Sequence, residues 1–359
     1  MSVVRTPFVR VTIDGVQVND VLSAEFQFGF DQRTASATVE VPEPPQGADH
    51  WADVEIRMSA NQAGSQLRFR GYLVTKDWTL WPRAVSLQCQ GRLVLADLVR
   101  NSAEEGTSFA NGGLGTPDED QVAAVLAECG ISDMDIEGTG EPIGSIAIDQ
   151  VVWEEGQTGL AYIERLDEIC LGYRTYDAPG GTVVRRQITP RPASTAALTF
   201  TEGVDIFRGN RNATPLEIRN RIFVTGYDNG DGPVFASRQQ ASPMLPPGID
   251  YVTDEISSDL IERTDESSAG AGITAADVAV WQVQEQNVLR HRIRMDTPRD
   301  DLIMPGMTIG VASPERLGVQ ANYWVQNVKA SVSNTNEFTQ NLTLIGGPGS
   351  TSDIVAPPL

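Results

Sequence analysis

The run from Met304 to Gly347 constrains this chain most, because a faint double of it lies near the other end of the sequence. Met307, Ile309 and Val311 alternate with Thr308 and Gly310, the period-two pattern of a half-buried strand. Ser313 to Gly318 is a polar turn, and Tyr323-Trp324-Val325 opens a second strand. Ser333 to Asn336 makes a hairpin loop, and Leu342-Thr343-Leu344 closes a third strand before Gly346-Gly347. The same order appears between Asp53 and Gly91. Val54, Ile56 and Met58 alternate, Asn61 to Gly64 turns, Gly71-Tyr72-Leu73-Val74 begins a strand, Trp81-Pro82-Arg83 interrupts, and Leu87-Gln88-Cys89 leads to Gly91. Val54 and Gly91 are 37 residues apart, Met307 and Gly346 39. The echo predicts two similar β-barrel or sandwich units with other material between them.

The first unit has further strands. Phe8 to Ile13 turns at Asp14-Gly15 into Val16-Gln17-Val18, and Ala24 to Phe30 pairs with Ala35 to Val41 before Pro42-Glu43-Pro44-Pro45 ends the run. Behind a polar, glycine-rich boundary from Asn101 to Gly115 comes a helix. It has Thr116 as N-cap, Pro117 first, three acids next, and Val122, Val125, Leu126 and Cys129 as its apolar stripe. A second helix runs from about Thr158 to Leu171, followed by a hairpin around Asp177 to Gly181. β character resumes near Phe200, with a hairpin turned by Asp228-Asn229-Gly230-Asp231-Gly232, and a helix capped by Thr274 places Val278, Trp281 and Val288 inward. The expected plan is mainly β with an α+β insertion. A first tube-like β-barrel covers 1–98, an acidic α+β domain 99–200, a second barrel region with a helix near 274–289 covers 201–346, and 347–359 is a flexible tail.

Composition narrows the function. Only His50 and His291 exist, so a Ser-His-Asp or Cys-His enzyme has almost nothing to work with. Cys89, Cys129 and Cys170 lie far apart among apolar residues and read as core packing, neither disulfides nor zinc ligands. No phosphate loop, dinucleotide fingerprint or HExxH occurs, and Glu154-Glu155 is one carboxylate pair among many. The acidic turn at Asp228 to Gly232 lacks EF-hand spacing and its terminal Glu, so it reads as a hairpin. No catalytic, cofactor or metal residue is assigned. Net charge is −21, and residues 101–200 carry −12 of it, which argues against gripping nucleic acid. Arg290, Arg292 and Arg294 share one strand face and read as solvated, with a partner's carboxylates as the alternative. No apolar run approaches membrane-spanning length and Met1 to Arg10 has no signal-like core, so the chain is expected to fold in a cytoplasm.

The ordered set of pieces resembles the tail hub, or baseplate hub, proteins of long-tailed bacteriophages, whose barrels also occur in contractile injection spikes. The residues that carry it are Val9 to Gly15, Phe26-Gln27-Phe28 with Ala37 to Val41, and Gly71 to Val74. To these add the helix entry Trp153 to Thr158, Asn220 to Gly226, Pro305-Gly306-Met307 and Leu342 to Gly347. The resemblance covers 1–347, and no lysozyme-like insertion or long C-terminal extension is present. It implies a non-enzymatic homotrimer at the virion tail tip, assembled in the host cytoplasm, that adapts a six-fold tube to three-fold tip proteins. Implied partners are the tail tube or distal tail protein, the tape measure protein and tip fibres or spikes, with DNA only in transit. Three copies would carry like charge toward emerging phosphates. Two alternatives stand beside it: a tail-associated carbohydrate hydrolase, tested at Glu154, and a glycan-binding β protein using Trp51, Trp78, Trp81 and Trp324.

Overall fold

The computed structural model describes residues 7–30, 32–43, 45, 48–60, 66–79, 84–102, 115–140, 142, 152–188, 192–213, 219–228, 233–240, 248–262, 273–288, 291–333, 337–347 and 354–355. The chain is mostly β. Its first seven strands are β1 (Phe8–Ile13), β2 (Val16–Gln17), β3 (Ser23–Gly29), β4 (Ser36–Val41), β5 (Asp53–Ser59), β6 (Gln66–Thr79) and β7 (Ala84–Gly91). Each longer strand buries alternate residues, as Val54, Ile56 and Met58 do on β5 and Val39 and Val41 on β4, because one face meets the core and the other water. The Asp14-Gly15 turn has both residues at positive φ, the geometry of a tight hairpin.

The second set comprises β11 (Leu198–Thr201), β12 (Arg208–Ala213), β16 (His291–Thr297), β17 (Thr308–Ser313), β18 (Val319–Val332) and β19 (Phe338–Gly346). The two sets share a topology. In the first, β5, β6 and β7 form a meander, β4 lies on β7 and β3 on β4; in the second, β17, β18 and β19 do so, β16 lies on β19 and β12 on β16. Both central strands are 14 residues long, and each has a register shift against its follower, between Leu73 and Thr75 and between Val325 and Asn327. The pairings align Val54 with Ile309 and Gly91 with Gly346, so equivalent landmarks are equally spaced; the sequence match of Val54 to Met307 shifts by two residues. One connection differs: β1 joins β5 antiparallel, whereas β11 joins β17 parallel.

The two halves are not separate bodies. Beyond its register shift β18 leaves β17 and pairs with β3, from Asn327 opposite Gly29 to Val332 opposite Ala24, which splices both into one 13-stranded sheet. A single apolar core runs through it, including Phe26, Ile56, Leu73, Phe200, Ile293, Tyr323 and Leu344.

Between and within the halves lies other material. α1 (Val94–Leu98), α2 (Asp118–Glu128), β8 (Met134–Ile136), α3 (Gly159–Ile169), β9 (Tyr173–Asp177) and β10 (Val183–Gln187) follow β7. α2 begins one residue later than its acidic cap signal suggests, with Pro117 as the capping position and no side-chain cap. α3 starts as its sequence suggests: the Thr158 hydroxyl accepts from the Ala161 amide at 3.2 Å. After β12 the chain leaves the large sheet for β13 (Arg221–Asp228), β14 (Pro233–Gln240), β15 (Thr253–Glu262) and α4 (Ala275–Val288), then returns through β16; β20 (Ile354–Val355) pairs with β14. Thr274 and Asp277 close the N-terminus of α4 as a reciprocal cap.

Residues 201–346 therefore do not form one barrel. Ile222 and Val224 of β13 and Val278, Ala279 and Val283 of α4 share a core with Leu126, Trp153, Tyr162, Leu166 and Val183 of the middle unit. The apolar side of α4 has to be buried somewhere, and it covers the small sheet here, away from the large one. The turn at 229–232, most of the 101–115 boundary and most of the 347–359 tail lie outside the described residues. Among the described residues no helix is long and apolar enough to cross a membrane.

Candidate functional site: a polar sheet face with buried charges behind it

The catalytic candidates do not converge. His50 places Nδ1 2.8 Å from the Val74 carbonyl, and the His291 side chain lies outside the described residues. Cys89, Cys129 and Cys170 are buried and form no disulfide; burial pushes the Cys89 thiol up to about 12 and that of Cys129 up to about 11. Glu154 and Glu155 are exposed in a turn whose work is structural. Trp153 is buried there and donates from Nε1 to the Gln157 carbonyl at 2.9 Å, and Arg100 donates to the Gly156 carbonyl at 2.7 Å. Among the described residues no group of His, Cys, Asp and Glu has the geometry of a metal site.

What the fold does build is a continuous polar face. One cross-strand row passes through Asp296, Asn341, Lys329, Gln27, Ser36 and Gln90, crossing from the second half to the first without a break. The row two residues along passes through Thr339, Ser331, Glu25, Thr38 and Gln88. Alternation explains the composition: the row between them, Gln340, Ala330, Phe26, Ala37 and Cys89, points into the core and is buried. Within these two rows the charges are few, and each has a partner. Lys329 Nζ lies 2.7 Å from Glu25, and Asn341 donates to Asp296 at 2.6 Å. Arg292 and Arg294 are exposed at its far side, and Arg290 lies outside the described residues.

Behind this face, charges that the sequence does not flag hold the parts in place. Arg185 is fully buried between Asp167, 2.8 Å from its Nε, and Asp118, and it lies over the Tyr173 ring. Burial alone would lower the Arg185 pKa, but the two carboxylates hold it above its ordinary value. Burial likewise opposes ionisation of Asp118, yet Arg185 and Thr139 keep its pKa below the usual range. Asp167 also accepts from Arg33, between β3 and β4, at 2.6 Å, so the cluster clamps the middle unit to the first half. Asp177 reinforces this seat: its carboxylate accepts from the Ala35 and Leu93 amides at 3.0 Å each, and burial raises its pKa to about 7. A Cβ on Gly91 would stand 2.2 Å from that carboxylate, so the seat needs glycine there. Across the splice, Arg68 on β6 donates to Asp300 at 2.7 Å, and Asp300 accepts from Ser59 at 2.6 Å. These residues sit in acid-rich or alternating runs; the one signal was an Arg at a core-facing position of β10.

No protein-family model matches the chain, and no curated protein matches its sequence. Solved structures do match, and the fold they share is that of bacteriophage tail proteins. A tail protein from Neisseria meningitidis MC58 superposes over 95% of this chain and 96% of its own, with a TM-score of 0.65 and 12% identity. The 43 kDa tail protein of prophage MuSo2 from Shewanella oneidensis covers 94% and 97%, with a TM-score of 0.68 and 11% identity. The E. coli c3393 protein, a type VI secretion component described as similar to T4 tail proteins gp27 and gp5, covers 97% of this chain and 79% of its own, at 0.56 and 12%. At these identities the likeness is one of fold.

Proposed function

We propose that this chain is a structural tail protein that assembles as a homotrimeric hub at the tail tip. The observation that carries this reading is the splice of two equivalent halves into one sheet at β18 and β3. Three copies would present six similar units to a six-fold tube, which matches a closed three-fold symmetry to six. One end seats on the tail tube or distal tail protein, and the other meets the tape measure protein and tip fibres or spikes. The polar face supports a channel wall: its Gln, Asn, Ser and Thr rows with paired charges offer no run of cations for phosphates to grip. Under this reading one tube-like unit is 7–91, the other is 198–213 with 291–346, and the acidic unit is 93–188 with 219–288. Neither catalysis nor a cofactor is required.

The test is native mass over a range of concentrations, with ring averaging by electron microscopy. A trimer with six similar inner lobes is expected. A chain that stays monomeric at high concentration and on added tube rings would overturn the hub.

A further inference from the structure

The strand that splices the halves has an unused counterpart. Through the shared topology β6 corresponds to β18 and β12 to β3, and the correspondence reaches the chain just before each edge strand. The Leu22 amide donates to the Glu40 carbonyl at 2.8 Å, and the equivalent Phe207 amide donates to Asp296 at 3.0 Å. Within the chain β3 covers the distal half of β18, burying Val328, Ala330 and Val332 beneath Phe26 and Phe28. The matching distal half of β6 has β7 on one side, and among the described residues no strand on the other. Its Trp78, counterpart of the fully buried Ala330, is 64% exposed. β12 ends the strand order, with Arg208, Gly209 and Asn210 exposed and Phe207 beside them 63% exposed. Among the described residues each chain thus carries one open edge of the β3 kind and one of the β18 kind.

We propose that β12 of one copy adds antiparallel to the distal half of β6 in a second copy, repeating between chains the pairing that β3 and β18 make within one. The intrachain register transfers directly: Thr79 lies opposite Asn210 and Lys76 opposite Ala213 of the neighbouring copy. The added strand begins at Lys76, opposite the last residue of β12, because the open-edge carbonyl two residues earlier, that of Val74, is taken. Gln326 accepts from the Phe30 amide at 3.1 Å, whereas at the equivalent Val74 the His50 ring occupies that place at 2.8 Å. Such a contact is head to tail, so it propagates until the rotation closes a ring. Closure at three copies rests on the hub reading above; the pairing itself rests on the equivalence of the strands.

The experiment is a Thr79→Cys, Asn210→Cys double variant of the full chain, oxidised and run without reductant. Directly opposed strand residues lie within disulfide reach, and the three native cysteines are buried. Intermolecular disulfides closing at three chains are expected, with none from either single variant. Arg211→Pro, which removes an amide on the open side of β12 while the Asn210 amide faces β16, is expected to raise the half-assembly concentration about ten-fold or more. Trp78→Asp gives the same readout if the proline variant fails to fold. A wild-type trimer that neither cross-links nor responds to these variants would overturn the pairing and leave the hub standing. Linked open chains without trimers would support the pairing and overturn the three-fold reading.

Discussion

The two halves of the large sheet are one topology in two environments. Phe26 on β3 and Arg211 on β12 occupy equivalent positions, yet Phe26 is buried against Ala330 while Arg211 is exposed. The halves also hold the intervening chain differently at equivalent glycines. Gly91 meets the Asp177 carboxylate, and Gly346, at φ +123, meets the Pro192 ring. What repeats is the pleat and its pairings; what varies is who covers each edge. The difference teaches that the repeated topology fixes the pleat and leaves the covering of each edge to the rest of the chain, with one splice made inside it.

The largest expected effect breaks the comparison at that splice. Phe26→Ala should cost about 3–5 kcal/mol, the cavity cost of a fully buried aromatic. Its counterpart Arg211→Ala should leave the urea midpoint where it was. Equal losses from both would mean that β12 is covered in the isolated chain.

The repeat itself was legible because alternation and stopping glycines are local signals. Val54, Ile56 and Met58 read as one face of a strand, and β5 buries that face. The splice was not legible, since nothing near Lys329 announces that Gln27 lies opposite it, about three hundred residues earlier in the chain. Residues 219–288 read as a continuation of the second barrel because their hairpin and helix signals do not say which core receives them. That was settled by Ile222, Val224 and Val283 packing with Tyr162 and Leu166. The buried charges were hidden for a related reason. Asp118 opens a helix with three acids, where a carboxylate is ordinary, and only the fold brings Arg185 to it.

A smaller effect separates the two glycine seats. Gly91→Ala and Gly346→Ala should each cost about 1–3 kcal/mol through overpacking, but only the first should disturb titration. Burial raises Asp177 to about 7 from an ordinary value of about 3.9. Between those values the folded chain holds more protons than the unfolded one. The stability Asp177 contributes is therefore present below about pH 4 and lost as pH rises to about 7. Asp118 has the opposite sign: held low by Arg185, its contribution is present above the ordinary carboxylate range and lost as pH falls. Denaturant midpoints across pH should show a falling limb between about 4 and 7. Asp177→Asn should flatten that limb, Gly91→Ala should alter it, and Gly346→Ala should preserve it. An unchanged limb in Asp177→Asn would show that the carboxyl is ionised in its seat.

The smallest effect sharpens the comparison at one turn. Just before β5's partner crossing, the Trp51 amide donates to the Leu73 carbonyl at 2.7 Å; in the other half the Gly306 amide donates to Val325 at 2.8 Å. Both residues have positive φ, 71° and 79°, so the same turn is made once by glycine and once by tryptophan. Gly306→Ala should cost about 1 kcal/mol, since its φ disfavours a side chain and its Cβ would meet Phe30 at 3.3 Å. Trp51→Gly relieves the same strain but frees the unfolded chain and loses an edge contact with Tyr72, so its stability should change by less than about 1 kcal/mol. Trp51 remains 47% exposed, so its ring buries little inside the chain in return for an unfavourable backbone. That imbalance points to assembly as its use. If the proposed trimer forms, Trp51→Gly should weaken it by native mass at unchanged melting temperature, and equal assembly of both forms would make Trp51 a tolerated outlier of the repeat.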